Sequence, residues 1–113
     1  MEPKTDRRRE PRVRVLSLVN VDQRDDAGEL TELTVGRTLD LSQHGMRLEL
    51  SRPLPLRSRV RLTVALSDRI LTVDGQVRYV NELEEGRCAM GIQFVELSAD
   101  AEAALVGFID DCD

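Results

Sequence analysis

Residues 60–79 have the sequence VRLTVALSDRILTVDGQVRY, in which apolar and polar side chains alternate in two successive rows. Val60 to Leu66 make the first row, and Leu71 to Tyr79 make the second. Alternate side chains of a β-strand point to opposite faces, so a period of two indicates a strand with one buried face. The stretch predicts two strands, and Gly75 inside the second row predicts a bulge or a sharp bend.

Alternation continues on both sides of this stretch. Four further rows predict four further strands, over residues 13–21, 33–41, 46–50 and 88–94. In the second of these rows Leu33, Val35, Leu39 and Leu41 share one parity, interrupted by Arg37, which predicts a common face. Polar residues 22–31 predict a loop between the first two strands, and Ser51 to Pro55 predict the end of the third.

The end of the chain changes to a helical period. Ala101, Leu105 and Phe108, with Ala104 and Cys112 beside them, follow the spacing of one helical face, and Ser98 is the predicted N-cap. Six strands without crossover helices indicate antiparallel pairing. The prediction is an all-β fold, a six-stranded antiparallel β-barrel closed by hairpins and plugged or flanked by one C-terminal α-helix.

Composition and length exclude several classes of protein. The 113 residues suit one domain, and 41% hydrophobic with 33% charged residues is typical of a water-soluble globular chain. No apolar run approaches the ~20 residues of a membrane-spanning helix, and the N-terminus does not resemble a secretory signal. We therefore expect no membrane span and a cytoplasmic location. The single histidine, His44, and the cysteines Cys88 and Cys112 cannot form a closed metal site, so we expect no metal and no enzymatic activity.

Charge is distributed unevenly along the chain. The net charge is −5, which argues against a nucleic-acid polymer as the partner. Residues 1–14 nevertheless carry six basic and three acidic side chains, and residues 96–113 carry six acidic and no basic ones. All basic residues but Lys4 are arginine, whose planar fork pairs with phosphate and stacks on rings. The arginine-rich N-terminus therefore indicates an anionic and aromatic ligand.

Two short motifs stand at the edges of predicted strands. Arg8 and Arg12 precede the first strand, and in an extended chain they lie on one side about 13 Å apart. By itself this pair also fits a solvated basic tail. Asp40, Ser42 and Gly45 lie in the turn between the second and third strands, where Gly45 can adopt positive φ. The Asp40 carboxylate can accept hydrogen bonds from the N1–H and N2–H₂ edge of a guanine, although alone the motif is also an ordinary turn.

Taken together, the motifs resemble the PilZ domain family. RxxxR before the first strand and D/N-x-S-x-x-G between the second and third are typical of that family, and MGIQF at residues 90–94 is similar to its Gly-apolar-x-Phe strand. The resemblance extends over residues 7 to 110. It implies a six-stranded barrel that binds the bacterial second messenger cyclic di-GMP as a receptor. The polar loop 22–31 is long by comparison.

The resemblance also implies roles for single residues. Arg8 and Arg12 would hold guanine edges and phosphates, Asp40 and Ser42 would contact a guanine and a phosphate, and Gly45 would shape the turn. Arg7 is a further candidate ligand-binding residue, since an arginine there suits a stacked pair of cyclic di-GMP molecules. No cofactor is implied beyond this ligand.

The expected organisation is a flexible arm, residues 1–12, followed by the barrel and helix, residues 13–113. Ligand would draw the arm across the barrel and order it, creating a surface for an unidentified effector protein. The alternative is a PilZ-fold adaptor that binds proteins without nucleotide. Partner binding that is indifferent to ligand would favour this alternative, and a steep salt dependence with DNA would favour a nucleic-acid binder.

Overall fold

A computed structural model describes residues 13–24, 27, 29–66 and 69–111. Within these ranges the chain forms six strands, a short 3₁₀ turn at Glu84–Gly86 and one α-helix. The elements are β1 (Val13–Arg24), β2 (Leu30–Leu41), β3 (Gly45–Leu50), β4 (Arg59–Leu66), β5 (Arg69–Glu82), β6 (Cys88–Val95) and α1 (Ala99–Asp111). The six predicted strands and the helix are thereby confirmed. None of the helical segments in the described ranges has the length and apolar content needed to cross a membrane.

The strands form one closed barrel in the order β1-β2-β3-β6-β5-β4. Each half of the chain folds as a three-stranded meander, β1–β2–β3 and then β4–β5–β6. Hairpins do not close the barrel, contrary to the sequence-based expectation. Closure comes from two antiparallel pairs of strands distant in sequence, β1 with β4 and β3 with β6. The predicted six-stranded antiparallel barrel is confirmed.

The core fills the barrel and continues under the helix. Strand β4 alternates buried and exposed residues along its length, as its sequence predicts. From α1, the side chains of Ala101, Leu105 and Ile109 are buried, so the predicted apolar face is confirmed and Ile109 extends it. The Ser98 hydroxyl accepts a hydrogen bond from the Ala101 N–H at 3.1 Å, which is the predicted N-cap. The predicted face also included Cys112, which lies outside the described residues.

The connection between β1 and β2 is shorter than residues 22–31. Asp22 pairs with Leu33, Gln23 with Glu32 and Arg24 with Leu30, so both strands extend into the polar segment. Backbone pairing between strands requires no apolar side chains, so the polar composition of this segment predicted a longer loop than the structure has.

A bulge divides the apolar row of β2. The pairing of β2 with β3 shifts register between Thr38 and Asp40, and a bulge exchanges the inward and outward parities beyond it. Leu41 is therefore fully buried, whereas Leu33 and Val35 are 62% and 55% exposed. The predicted common face of these residues is wrong for this reason.

Gly75 occupies no bulge. It pairs in register with Val60 on β4 and Phe94 on β6, and the irregularity in β5 lies between Val77 and Tyr79. A Cβ on Gly75 would come within 3.0 Å of the Ile92 side chain. The position needs a glycine because another side chain fills the space, and the predicted bulge is wrong.

Candidate functional site

The turn between β2 and β3 comprises residues 42–44, with Asp40 in β2 and Gly45 in β3. It is held by its own hydrogen bonds. The backbone N–H and the hydroxyl of Ser42 both donate to the Gly45 carbonyl, at 2.8 and 3.2 Å. The Phe94 N–H donates to the His44 carbonyl at 2.8 Å, which ties the turn to β6. Ser42 is 1% exposed. Its hydroxyl proton is used inside the turn, so toward a ligand the oxygen is suited to accept hydrogen bonds.

Gly45 allows β3 to approach β6 closely. A Cβ at this position would fall within 3.0 Å of the Ile92 carbonyl oxygen, a distance that real Cβ atoms essentially never show. Among the described glycines, positive φ is found at Gly86 and not at Gly45. The glycine of the motif is therefore required by close packing of two backbones, and the expectation of positive φ was wrong.

Asp40 is buried and paired with an arginine that sequence reasoning missed. One carboxylate oxygen of Asp40 accepts from the Arg47 Nε–H at 2.8 Å. The pair exists because Asp40 and Arg47 are directly opposite in the β2–β3 register. The Asp40 side chain is 10% exposed and that of Arg47 is 44% exposed. The arginine thus orients the carboxylate, and its alternation with Met46 and Leu48 could have predicted its outward position.

A groove of about 190 Å³ adjoins the turn. Its lining includes Ser42 and Gly45 from the turn, Arg47 from β3 and Arg78 and Tyr79 from β5. The Tyr79 ring lies against Gly91, where a Cβ would overlap the ring atoms, and the residue is 41% exposed. The groove thus combines guanidinium groups with an accessible aromatic ring, which suits an anionic ligand that contains flat rings.

The outer surface beyond this groove is also rich in arginine. Glu49 on β3 is 8% exposed and accepts from Arg37 on β2 at 3.0 Å and from Arg87 at 2.6 Å. Two half-exposed guanidinium groups therefore share one buried carboxylate. With Arg47 and Arg78, they make this side of an acidic protein locally cationic, which favours approach of an anion.

The register of β1 on β2 brings the N-terminal end of the barrel to the turn. Val13 pairs with Leu41, the residue before Ser42. Arg7, Arg8 and Arg12 lie outside the described residues. Arg8 is five residues from Val13 in sequence, a distance of at most about 17 Å for an extended chain. The structure thus brings Asp40, Ser42 and Gly45 together, and the RxxxR motif is within chain reach of them.

A scan against family models matches residues 6–111 to the PilZ domain. The chain belongs to the PilZ domain family. The match covers almost the whole sequence and both motifs. Comparison with curated protein sequences gives no match.

Several solved structures share the fold. The PilZ domain of YcgR from Escherichia coli, with c-di-GMP, is 19% identical with a TM-score of 0.74, covering 94% of this chain and 91% of its own. The Bacillus subtilis inhibitor of motility, MotI/DgrA, is 18% identical with a TM-score of 0.75, covering 98% and 56%. The K. pneumonia MrkH–c-di-GMP complex is 18% identical with a TM-score of 0.73, covering 98% and 52%. This PilZ chain spans about half the length of the latter two proteins.

Proposed function

We propose that this PilZ chain is a cytoplasmic receptor for cyclic di-GMP, without enzymatic activity, that signals to a separate effector protein. Its family membership, its intact motifs and the c-di-GMP in the similar YcgR and MrkH structures support this function. The observation that carries the proposal is the pairing of Val13 with Leu41. Through this register, the chain that bears RxxxR joins the barrel beside the turn that bears the second motif.

Each residue of the second motif has a role that fits its surroundings. The Asp40 carboxylate, oriented by Arg47, accepts from the N1–H and N2–H₂ edge of a guanine. Ser42 and Gly45 keep the turn close to β6 and let a phosphate or base approach its backbone. The exposed Tyr79 ring offers a stacking surface for a base.

The arginines before β1 complete the site. Arg8 and Arg12 pair with guanine edges and phosphates, since a guanidinium fork matches both groups bidentately. Arg7 suits a stacked pair of ligands, whose four phosphates call for additional positive charge. In this proposal residues 1–12 form a flexible arm that ligand orders over the groove, and the ordered arm is the surface that the effector reads.

Isothermal titration with cyclic di-GMP tests the receptor function. We expect saturable binding by the wild type, and at least about tenfold weaker binding by Arg12→Ala, because a charge-assisted hydrogen bond is lost. Arg69→Ala is the matched control, since Arg69 borders a different groove beside α1. A stoichiometry of two ligands that falls to one in Arg7→Ala would support the stacked pair. Absence of binding at high ligand concentration would overturn the receptor function.

Amide hydrogen exchange tests the ordering of the arm. Saturating ligand should increase protection at residues 5–12, because these amides change from solvent exposure to contact with ligand and barrel. Strands β4 and β5 serve as the internal reference. If binding occurs while protection of the arm is unchanged, the receptor function stands and the ordering mechanism is wrong.

A further inference from the structure

One outer face of the barrel carries apolar side chains where polar ones are usual. Leu18, Leu33, Val35 and Ile70 are 69%, 62%, 55% and 74% exposed. They belong to β1, β2 and β5, and no described residue covers them. An antiparallel sheet that packs on a core with one face normally presents polar side chains on the other. A cluster of exposed apolar residues on a folded domain marks an interaction surface.

The strand registers show that these side chains form one continuous surface. Asn20 on β1 pairs with Val35 on β2 and with Thr63 on β4, and Thr63 pairs with Thr72 on β5. Leu18 precedes Val19, which pairs with Val64, so it lies beside Ala65, the partner of Ile70. The neutral face is defined here as Leu18, Asn20, Leu33, Val35, Thr63, Ala65, Ile70 and Thr72.

Ion pairs surround the neutral face and leave its rim close to neutral. Two of these pairs are hydrogen-bonded, Arg61 with Asp74 at 2.8 Å and Arg37 with Glu49 at 3.0 Å. Two are looser, Arg24 with Asp22 at 3.7 Å and Arg59 with Glu96 at 4.0 Å. The Asp74 hydrogen bond and charge raise the pKa of Arg61. Glu49 also bonds Arg87 at 2.6 Å, so five positive charges meet four negative ones, and the rim is close to neutral in a protein of net charge −5.

We propose that the neutral face is the contact surface of a homodimer, with a second copy of this chain as its occupant. The nearly neutral rim carries the choice: two acidic molecules repel each other overall, and this face lets them approach with little charge of either sign between them. A strongly charged partner would find no complement among its uncharged central residues. The two sheets would pack face to face about 10 Å apart, with apolar side chains central and the ion pairs at the rim.

The size of the neutral face sets the expected affinity. Strands lie about 4.8 Å apart and side chains on one face about 6.8 Å apart along a strand, so the eight positions of the neutral face span roughly 260 Å². This is about a third of the ~800 Å² per partner that a standard stable interface buries. The dimer is therefore weak, with a dissociation constant on the order of 100 µM, and forms at high local concentration.

Sedimentation analysis of the ligand-free chain, from about 10 µM to about 1 mM, tests the dimer. The average mass should rise toward twice the monomer mass. Leu18→Thr and Ile70→Thr should each weaken association at least about tenfold, because a substitution in a two-fold interface removes apolar area twice. Threonine keeps strand propensity, so both variants should fold. Leu83→Thr is the control, since Leu83 is 41% exposed and outside the neutral face.

Salt distinguishes this dimer from association by charge. Raising NaCl from about 50 to about 500 mM should leave the neutral-face dimer unchanged or strengthen it, whereas contact between the arginine-rich side and the acidic helix would weaken. A monomer at every concentration would overturn the proposal. A dimer equally stable in Leu18→Thr and Leu83→Thr would also overturn it. No cyclic di-GMP is added in this experiment. Its result therefore does not affect the receptor function, which the isothermal titration tests separately.

Discussion

Gly45 and Gly107 show how surroundings decide what a glycine contributes. At Gly45, the backbone of β6 occupies the space that a Cβ would need. At Gly107, in the middle of α1, a Cβ would meet nothing within 4 Å. The first glycine keeps the turn between β2 and β3 against β6, and the second only lowers helix propensity.

Alanine at these two positions should change stability in opposite directions. Gly45→Ala should lower the free energy of unfolding by about 1–3 kcal/mol, because β3 and β6 must separate. Gly107→Ala should raise it by about 0.5–1 kcal/mol through helix propensity. Urea denaturation measures both. Equal shifts of the two midpoints would contradict the close approach of β3 and β6.

Glu49 illustrates how burial changes the value of an ion pair. Its carboxylate is almost inaccessible and holds Arg37 of β2 and Arg87, the residue before β6, whereas the Asp74 side chain is 36% exposed. Glu49→Gln should therefore lower the free energy of unfolding by about 1–3 kcal/mol, since a buried charge-assisted network is broken. Asp74→Asn, which breaks the exposed Arg61–Asp74 pair, is the matched control and should lower it by less than about 1 kcal/mol. Chemical denaturation measures the free energy of unfolding of both variants. An equal loss in the two would mean that the Glu49 carboxylate is solvated.

At the scale of elements, α1 depends on its first turn and its buried face. Its C-terminal end carries Asp110 and Asp111, which are unfavourable near the negative end of a helix dipole. Favourable interactions are therefore concentrated at the Ser98 cap and in the packing of Ala101, Leu105 and Ile109.

Removing the cap should destabilise α1 measurably. Ser98→Ala should lower the free energy of unfolding by about 1 kcal/mol, because the Ala101 N–H loses its acceptor. Ser98→Asp should retain wild-type stability, since a carboxylate can accept the same bond and suits a helix N-terminus. Thermal unfolding followed by circular dichroism compares the three proteins. A midpoint for Ser98→Asp as low as that for Ser98→Ala would show that the cap contributes little.

At the scale of the whole molecule, the barrel closes through pairs that begin after residue 12. Strand β1 pairs with β4 from Val19–Val64 to Arg24–Arg59, and with β2 from Val13 onward. All the strand pairs that close the barrel therefore lie within the described residues. The arm that we propose to bind the ligand precedes them in the chain.

Deletion of residues 1–12 should therefore separate folding from binding. The shortened chain should unfold within about 4 °C of the full chain, which corresponds to less than ~1 kcal/mol. Binding of cyclic di-GMP should be lost, because the deletion removes Arg7, Arg8 and Arg12. Calorimetry of unfolding and titration of ligand measure the two properties. Unchanged affinity would assign binding to the barrel alone, and loss of folding would contradict the proposed boundary.

Local sequence patterns predicted those features of the fold that depend on residues close together in the chain. Alternation with a period of two predicted six strands, a period near 3.6 predicted α1 with its Ser98 cap, and two short motifs predicted the family. The decisions left to the tertiary structure all involve residues distant in the chain. They include the closure of β1 on β4, the bulge that exposes Leu33 and Val35, the pairing of Asp40 with Arg47, and the backbone contact that requires Gly45. Register and bulges are set by the partner strand, and no local pattern contains the partner.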